Sequence, residues 1–220
     1  MWGIHVGMGL GIYNATAKLN NVETITANLR DNENDRFDLH SKLSGYNETQ
    51  TAMFLTIPVM GQYNIDQFYV MGGIKTGIPL NGKYKSKDAT LTNRAYYPAW
   101  DNWAETQEFR GYGVFRGKSF DGDLDLGVSF MLALEAGMNW NLGGNLVLYS
   151  GAYFDYGLND ISKGDKQRFI NSEIFATSDA SNFTANSVLA SYSDGSKSTA
   201  FTDKVNTMAV GIKLRLAFRK

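Results

Sequence analysis

Residues 126–141 read LGVSFMLALEAGMNWN, and two kinds of side chain alternate along the whole stretch. The even-numbered positions are apolar, from Leu126 to Trp140, whereas the odd-numbered positions are mostly small or polar, with Gly127 and Glu135 among them. A period of two is that of a β-strand, because successive side chains point to opposite faces of a sheet. The alternation is longer than the usual strand of a soluble protein. The stretch therefore predicts a long strand with one apolar face.

Five further stretches alternate in the same way, and they are residues 2–12, 51–63, 68–80, 145–158 and 207–218. Tight turns connect two pairs of them, and long polar segments, residues 14–50, 81–125 and 159–205, connect the others. Short turns on one side and long loops on the other are typical of an outer-membrane barrel. We therefore predict an all-β, antiparallel up-and-down transmembrane β-barrel with about six strands evident, which forms a single domain over residues 1–220.

The composition excludes several classes of function. The chain carries 21 Lys and Arg against 22 Asp and Glu, so it has no basic field that would attract nucleic acid. No apolar run is long enough for a spanning helix, and there is no cysteine. His5 and His40 have no companion at ligand spacing, and Asp121, Asp123 and Asp125 lack the distal Glu of a calcium loop. We expect no catalytic, cofactor-binding or metal-binding residue, and we predict that the protein is not an enzyme.

Aromatic residues are expected at both ends of the strands, where amphipathic rings prefer the level of the lipid headgroups. The end with the short turns would carry Trp2, Tyr63, Phe68, Trp140 and Phe218. The opposite end would carry Tyr13, Tyr84 and Tyr156.

The second face of the strands is rich in glycine and would line a narrow lumen. We predict that its longer polar side chains form a network inside the barrel, and these are His5, Lys75, Glu135, Asp155, Lys213 and Arg215. A lone desolvated charge would be costly, so Glu135 is expected to pair with Lys213, Arg215 or Lys75. The alternative is that these charges are simply solvated within the lumen.

The second long segment is unusually aromatic. Tyr96, Tyr97, Trp100 and Trp103 are predicted to form a contact surface for a partner or ligand. The alternative is that these rings pack the loop against itself or against the barrel rim.

Several strings resemble a known family. Residues 54–59 (FLTIPV) precede a tight turn and residues 68–70 (FYV), and similar barrel motifs follow at 126–140, 144–153 (GNLVLYSGAY) and 210–218 (VGIKLRLAF). Together they resemble the barrel part of the OmpA-like outer-membrane β-barrel domain family of Gram-negative bacteria. The resemblance implies location in the outer membrane, contact with its lipid, and peptidoglycan binding only through a domain that is absent here. It also implies eight strands, so we expect a further N-terminal hairpin, or else strands within the long loops, for instance near residues 110–115.

These features predict a structural outer-membrane barrel with a narrow, largely filled lumen and long surface loops, which could contact other envelope proteins or a ligand. A small pore for ions or solutes is one alternative. A soluble lipocalin-like barrel, whose apolar face would be the inside, is another.

Overall fold

The structure, a computed structural model, describes residues 2–171, 183–192 and 199–218. Apart from two short 3-10 turns at Glu108–Arg110 and Val188–Ala190, the regular structure in these ranges is β-strand. None of the helices in these ranges is long and apolar enough to cross a membrane. The strands are, in chain order, β1 (Trp2–Val6), β2 (Gly9–Arg30), β3 (Arg36–Ile65), β4 (Phe68–Lys87), β5 (Ala89–Tyr97), β6 (Asn102–Ala104), β7 (Gly113–Lys118), β8 (Asp121–Asp123), β9 (Ser129–Gly143), β10 (Leu146–Gly157), β11 (Gln167–Arg168), β12 (Ile170–Asn171), β13 (Thr184–Ala185), β14 (Ser191–Tyr192) and β15 (Met208–Phe218).

The main sheet is antiparallel and follows the chain up and down. Both β1 and β2 pair with β3, and the order then continues through β4, β9, β10 and β15. The six predicted strands are therefore present, and the predicted all-β, antiparallel architecture is confirmed. Within the described residues β1 and β15 do not pair with each other, so the barrel wall is open between them.

A proline explains why the first strand is interrupted at residues 7–8. These residues lie opposite Pro58, because Val6 pairs with Val59 and Gly9 pairs with Thr56. The Pro58 carbonyl still accepts a hydrogen bond from the Gly7 amide at 3.3 Å. Proline has no backbone N–H to return that bond, so the ladder breaks at this point.

The apolar face of the strands points away from the lumen. Ile4 and Ile212 are each 84% exposed, and the outward side chains of β4 and β9 are also exposed. At the end with the short turns, Trp2 lies beside Tyr63 with ring centroids 4.6 Å apart, and Trp140 and Phe218 point outward. A continuous apolar outer face suits lipid, whereas a lipocalin-like barrel would have this face inside.

The expected aromatic ring at the other end is only partly present. Tyr156 is exposed there, but Tyr13 and Tyr84 pack inside the barrel mouth against Phe54. The prediction for Tyr13 and Tyr84 was wrong. Apolar side chains fill the barrel mouth, so an aromatic ring that points inward also finds apolar neighbours there.

Much of the segments predicted as long loops is ordered sheet. β3 contains 30 residues, whereas a strand crosses a bilayer in about ten. β2 and β3 continue as one hairpin to a turn at residues 31–35, and β5 adds to the edge of β3. We call residues 15–50 and 81–123 the outer sheet. The long segments thus contribute strands, and β7 covers part of the proposed region near residues 110–115, but these strands add to the outer sheet and do not complete the barrel wall.

A change of phase in the alternation at Gly45 hides this extension from a search for a simple period of two. The odd-numbered residues Phe37, Leu39 and Leu43 are buried, whereas beyond Gly45 the buried residues are even-numbered, beginning with Tyr46. Gly45 has a φ of +65°, which favours glycine, and the alternation changes phase at this residue. Leu19 pairs with Tyr46 and Asn21 with Ser44, so the register of β2 and β3 does not shift there. The outer sheet has its own apolar cores, one around Tyr46, Leu91 and Phe169 and another around Phe37, Leu39 and Tyr97.

Candidate functional site

Inward-facing charged side chains of the barrel form two ion pairs. Lys213 Nζ lies 2.7 Å from Glu135 Oε2, and the Tyr69 hydroxyl donates to Glu135 Oε1 at 2.8 Å. Lys75 pairs with Asp155, which is buried. Of the three partners expected for Glu135, the structure thus brings only Lys213 within ion-pair distance, while Lys75 lies with a different carboxylate.

Arg215 occupies the space next to the first pair. Its Nη1 donates to His5 Nδ1 at 3.1 Å and its Nη2 donates to Gln62 Oε1 at 2.9 Å. Arginine has no acceptor, so His5 Nδ1 carries no proton in this arrangement. The guanidinium also lies over the Tyr149 ring, 4.4 Å from its centroid. These contacts connect β15 with β1 and β3 through the lumen, across the open side of the wall.

Glycines on the inner face make room for these large side chains. A Cβ atom on Gly151 would lie 2.5 Å from the Tyr69 hydroxyl, and one on Gly211 would lie 3.0 Å from the Tyr153 ring. The interior is therefore packed by tyrosines and charged side chains in the spaces that glycine leaves. A cavity of about 450 Å³ remains, lined in part by Tyr13, Lys75 and Tyr153.

The outer mouth of the barrel is filled by apolar side chains. Phe54 and Tyr84 of the wall pack against Leu124, Leu126 and Ile161, which come from the segments that cross above the lumen. Leu126 was predicted to begin a strand, but β9 begins three residues later at Ser129. The residues between β8 and β9 instead close the mouth.

A buried carboxylate, Glu48 on β3, holds the third long segment against the outer sheet. Oε1 accepts hydrogen bonds from Gln50 Nε2 at 2.7 Å and from the Ser187 hydroxyl at 2.5 Å. Oε2 accepts from the Tyr46 hydroxyl at 2.7 Å and from the Val188 amide at 3.0 Å. We call these five residues the Glu48 clasp. Burial, with the Glu48 charge beside it, raises the pKa of the Tyr46 hydroxyl, so this group stays a donor at neutral pH.

At the far tip of the outer sheet lies a second concave region, which we call the outer cleft. It has a volume of about 370 Å³ between the β2–β3 turn, residues 31–35, and residues 97–112. On the turn side, Asp31 Oδ1 accepts from the amides of Glu33 and Asp35, both at 3.0 Å. Asp31 Oδ2 accepts from the Tyr97 hydroxyl at 3.2 Å, which ties the turn to β5.

The four aromatic residues predicted as a contact surface fall into different environments. Trp100 is 58% exposed, and Trp100 and Trp103 both line the outer cleft. Tyr97 also lines it but is largely buried, stacked on Phe37 with ring centroids 5.5 Å apart. Tyr96 does not line the cleft, and its hydroxyl donates to Asp101 Oδ1 at 2.8 Å, which raises the pKa of Tyr96.

The described residues contain no group of three or more His, Cys, Asp or Glu side chains placed to hold a metal ion. Of the three carboxylates considered for calcium, Asp121 and Asp123 lie on β8 and Asp125 follows it. Asp121 lies opposite Lys85 and Asp123 opposite Lys83 in the strand register, and opposite charges at facing positions favour strand pairing.

A wall of antiparallel strands with an apolar outer face and a polar, packed inner face defines the class of outer-membrane β-barrel proteins. Residues 1–163 match the family described as outer membrane protein beta-barrel domain, and the chain therefore belongs to that family. The resemblance found from the strand motifs is confirmed at this level. No curated protein and no solved structure matches the chain significantly.

Two parts of the candidate site were not found from the sequence. Glu48 lies in a segment predicted to be a polar loop, and its partners Ser187 and Val188 are about 140 residues further along the chain. The acidic turn at residues 31–35 lies in the same predicted loop, and the sequence did not indicate that it lines a cleft. A period-two search that allowed a change of phase at Gly45 could have found β3, which carries Glu48 and begins directly after the turn.

Proposed function

We propose that this protein is a structural barrel of the outer membrane, with a narrow and largely filled lumen, and that its outer sheet offers a contact surface to a partner or ligand. The observation that carries the proposal is the combination of a packed interior with an ordered, partly aromatic outer surface. The partners of the barrel wall are the outer-membrane lipids, which its apolar face suits. Peptidoglycan is not a partner proposed for these residues.

The packing of the lumen supports a structural role over a pore. Glu135 and Asp155 are almost completely buried, and the mouth above them is covered by Phe54, Leu124 and Leu126. A barrel of about eight strands is only wide enough for its own side chains to fill. Ions crossing it would have to displace paired charges, which is costly in a low-dielectric interior.

The outer sheet supports a role in contact. Surface loops that only solvate a barrel rim do not need their own apolar cores, yet the outer sheet has two. On this ordered frame, Trp100 is 58% exposed and Phe109 is 79% exposed. Exposed aromatic rings held by a rigid scaffold are typical of binding surfaces. No catalytic group is part of the proposal.

Conductance across planar bilayers tests the proposal. The wild-type protein is expected to show no steady ion conductance, because side chains fill its lumen. The double variant Tyr69→Ala, Arg215→Ala removes two of the large inward side chains and is expected to conduct, which serves as the positive control. Steady conductance of the wild-type barrel, at a level similar to that of the double variant, would instead establish the pore function.

A further inference from the structure

We propose that the outward face of the outer sheet, where it leaves the membrane, binds the phosphate groups of anionic lipid headgroups. The inference rests on the proposed function as an outer-membrane barrel and specifies which lipid the protein contacts there. Its basis is a row of exposed lysines that continues the outward face of β4, Lys83, Lys85 and Lys87, together with Lys18 on β2. We call these four residues the lysine patch.

A bulge turns the lysines of β4 outward. The exposed apolar residues of this strand are even-numbered as far as Leu80, and beyond it the exposed lysines are odd-numbered. The register shifts by one residue between Met53 and Phe54 of β3, so Leu80 is an extra residue in β4. The lysines therefore continue the face that carries Ile78 and Leu80 instead of pointing to the inner side of the sheet.

The lysine patch begins at the level of the lipid headgroups. A tilted strand rises about 2.3 Å per residue along the membrane normal, and the headgroup region is about 5–8 Å thick on each side. Lys83 is three residues beyond Leu80, so its Cα lies about 7 Å outside the apolar band of β4. Lys85 reaches the same level because a lysine side chain can extend its ammonium group towards an interface. Lys87 and Lys18 lie further out and add to the local field.

Neighbouring carboxylates offset only part of this positive charge. Within the described residues, none of the four lysines takes part in an ion pair. On β8, Asp123 lies opposite Lys83 and Asp121 lies opposite Lys85 in the strand register. The residues that face the β4 lysines from β3 are uncharged, and they are Thr51, Thr49 and Asn47. Four lysines beside two aspartates leave a positively charged surface.

Charge is also distributed unevenly along the outer sheet as a whole. The part nearer the barrel, residues 15–21, 44–50, 81–92 and 113–123, contains six Lys and Arg against four Asp and Glu, and Glu48 among these is buried. The part beyond it, residues 22–43 and 93–112, contains five Lys and Arg against eight Asp and Glu. Positive charge is therefore concentrated next to the membrane, where it attracts anionic headgroups, and negative charge lies at the far tip.

Electron paramagnetic resonance of spin-labelled lipids tests the inference on the full chain, reconstituted in phosphatidylcholine vesicles. Lipid next to the barrel moves slowly, so the spectra give the association of spin-labelled phosphatidylglycerol relative to that of spin-labelled phosphatidylcholine. The patch variant combines Lys83→Gln, Lys85→Gln and Lys87→Gln. A matched control variant loses the same charge at exposed residues in the far part of the outer sheet, through Arg36→Gln, Lys42→Gln and Arg110→Gln. Heat-dependent gel migration shows that each variant is folded.

The wild-type barrel is expected to prefer phosphatidylglycerol about fivefold, the equivalent of one lysine at an anionic surface, because the aspartates offset part of the patch. The patch variant should lose this preference, the control variant should keep it, and salt at about 1 M should abolish it.

Equal association of the two lipids with the wild type would overturn the proposal, and so would an equal preference in the wild type and the patch variant. Either result in a barrel that does not conduct overturns only the headgroup contact. Absence of any slowly moving lipid would instead overturn the membrane barrel itself, and wild-type conductance would overturn the filled lumen of the proposed function.

Discussion

At the scale of single residues, the inner face is organised by pairing glycines with large side chains. Tyr69 fits over Gly151, and its hydroxyl reaches Glu135, which in turn holds Lys213. The absence of a side chain at one position therefore allows a charged network several residues away. Which glycine faces which tyrosine depends on strand register, so sequence alone predicted a glycine-rich lumen without these pairs.

Replacing Gly151 with alanine is expected to destabilise the barrel. The new Cβ would lie 2.5 Å from the Tyr69 hydroxyl and 2.6 Å from the Ala136 carbonyl oxygen, and the latter is backbone that cannot easily move. Overpacking of this kind costs about 1–3 kcal/mol. Denaturant unfolding in lipid vesicles measures the free energy. Gly3→Ala is the matched control, since a Cβ there meets nothing within 4 Å, and similar losses for both variants would contradict the packing argument.

At the scale of elements, the Glu48 clasp joins β3 to the 3-10 turn at Val188–Ala190. The carboxylate is fully buried, and two of the four groups that contact it, Gln50 Nε2 and the Val188 backbone N–H, can only donate. This arrangement fits an ionised carboxylate, which accepts at both oxygens. Within the segment itself, Lys166 donates to the Leu189 carbonyl. The third long segment is therefore attached to the outer sheet through Ser187 and Val188, in addition to its covalent connections to β10 and β15.

Glu48→Gln is expected to loosen this segment. One side-chain oxygen becomes an NH₂ group that must face donors, and loss of hydrogen bonds to a charged group costs about 1.5–3 kcal/mol. Amide hydrogen exchange should increase in residues 183–192, while β9 and β10 stay protected. Glu23→Gln is the control, because the Glu23 side chain is 47% exposed and its carboxylate lies 3.2 Å from His40 Nδ1, away from the clasp. Unchanged exchange in residues 183–192 would show that the clasp does not hold the segment.

Elements were predictable from the sequence where a strand keeps a single register across the membrane. The turn between β3 and β4 and the turn between β9 and β10 fall where short polar stretches predicted them. Prediction failed in the outer sheet, because the change of phase at Gly45 and the register shift between Thr26 and Leu29 alter which positions are buried. The same failure concealed the outer cleft, whose walls come from residues 31–35 and 97–112 and meet only when β5 pairs with β3.

At the scale of the whole molecule, one chain presents apolar side chains to two different surroundings. Leu134 on β9 is 46% exposed at a level where the wall would face lipid, and Ile25 on β2 is 43% exposed in the outer sheet. A charged substitution should therefore have different effects at these two similarly exposed positions, because only Leu134 would lie in lipid, which cannot solvate a charge.

Arginine at these two positions is expected to separate the two environments. Leu134→Arg should cost about 2–4 kcal/mol in a bilayer, as for a charge on the lipid face near the midplane. Ile25→Arg should change stability by less than about 0.5 kcal/mol, because its side chain would remain in water. Unfolding in lipid vesicles, followed by heat-dependent gel migration, gives both values. Equal effects of the two substitutions would contradict the membrane orientation of the barrel.

The sequence by itself determined the class of this protein. Apolar residues at every second position show which face of each strand is apolar, and the alternation of side chains between the two faces depends only on local backbone geometry. It also determined that the charged side chains of β4, β9, β10 and β15 share the inner face. Only the tertiary structure decided that Glu135 pairs with Lys213, that Lys75 pairs with Asp155, and that Glu48 holds a segment far along the chain. These contacts depend on strand register, bulges and the path of long connections, since each joins residues that are distant in sequence.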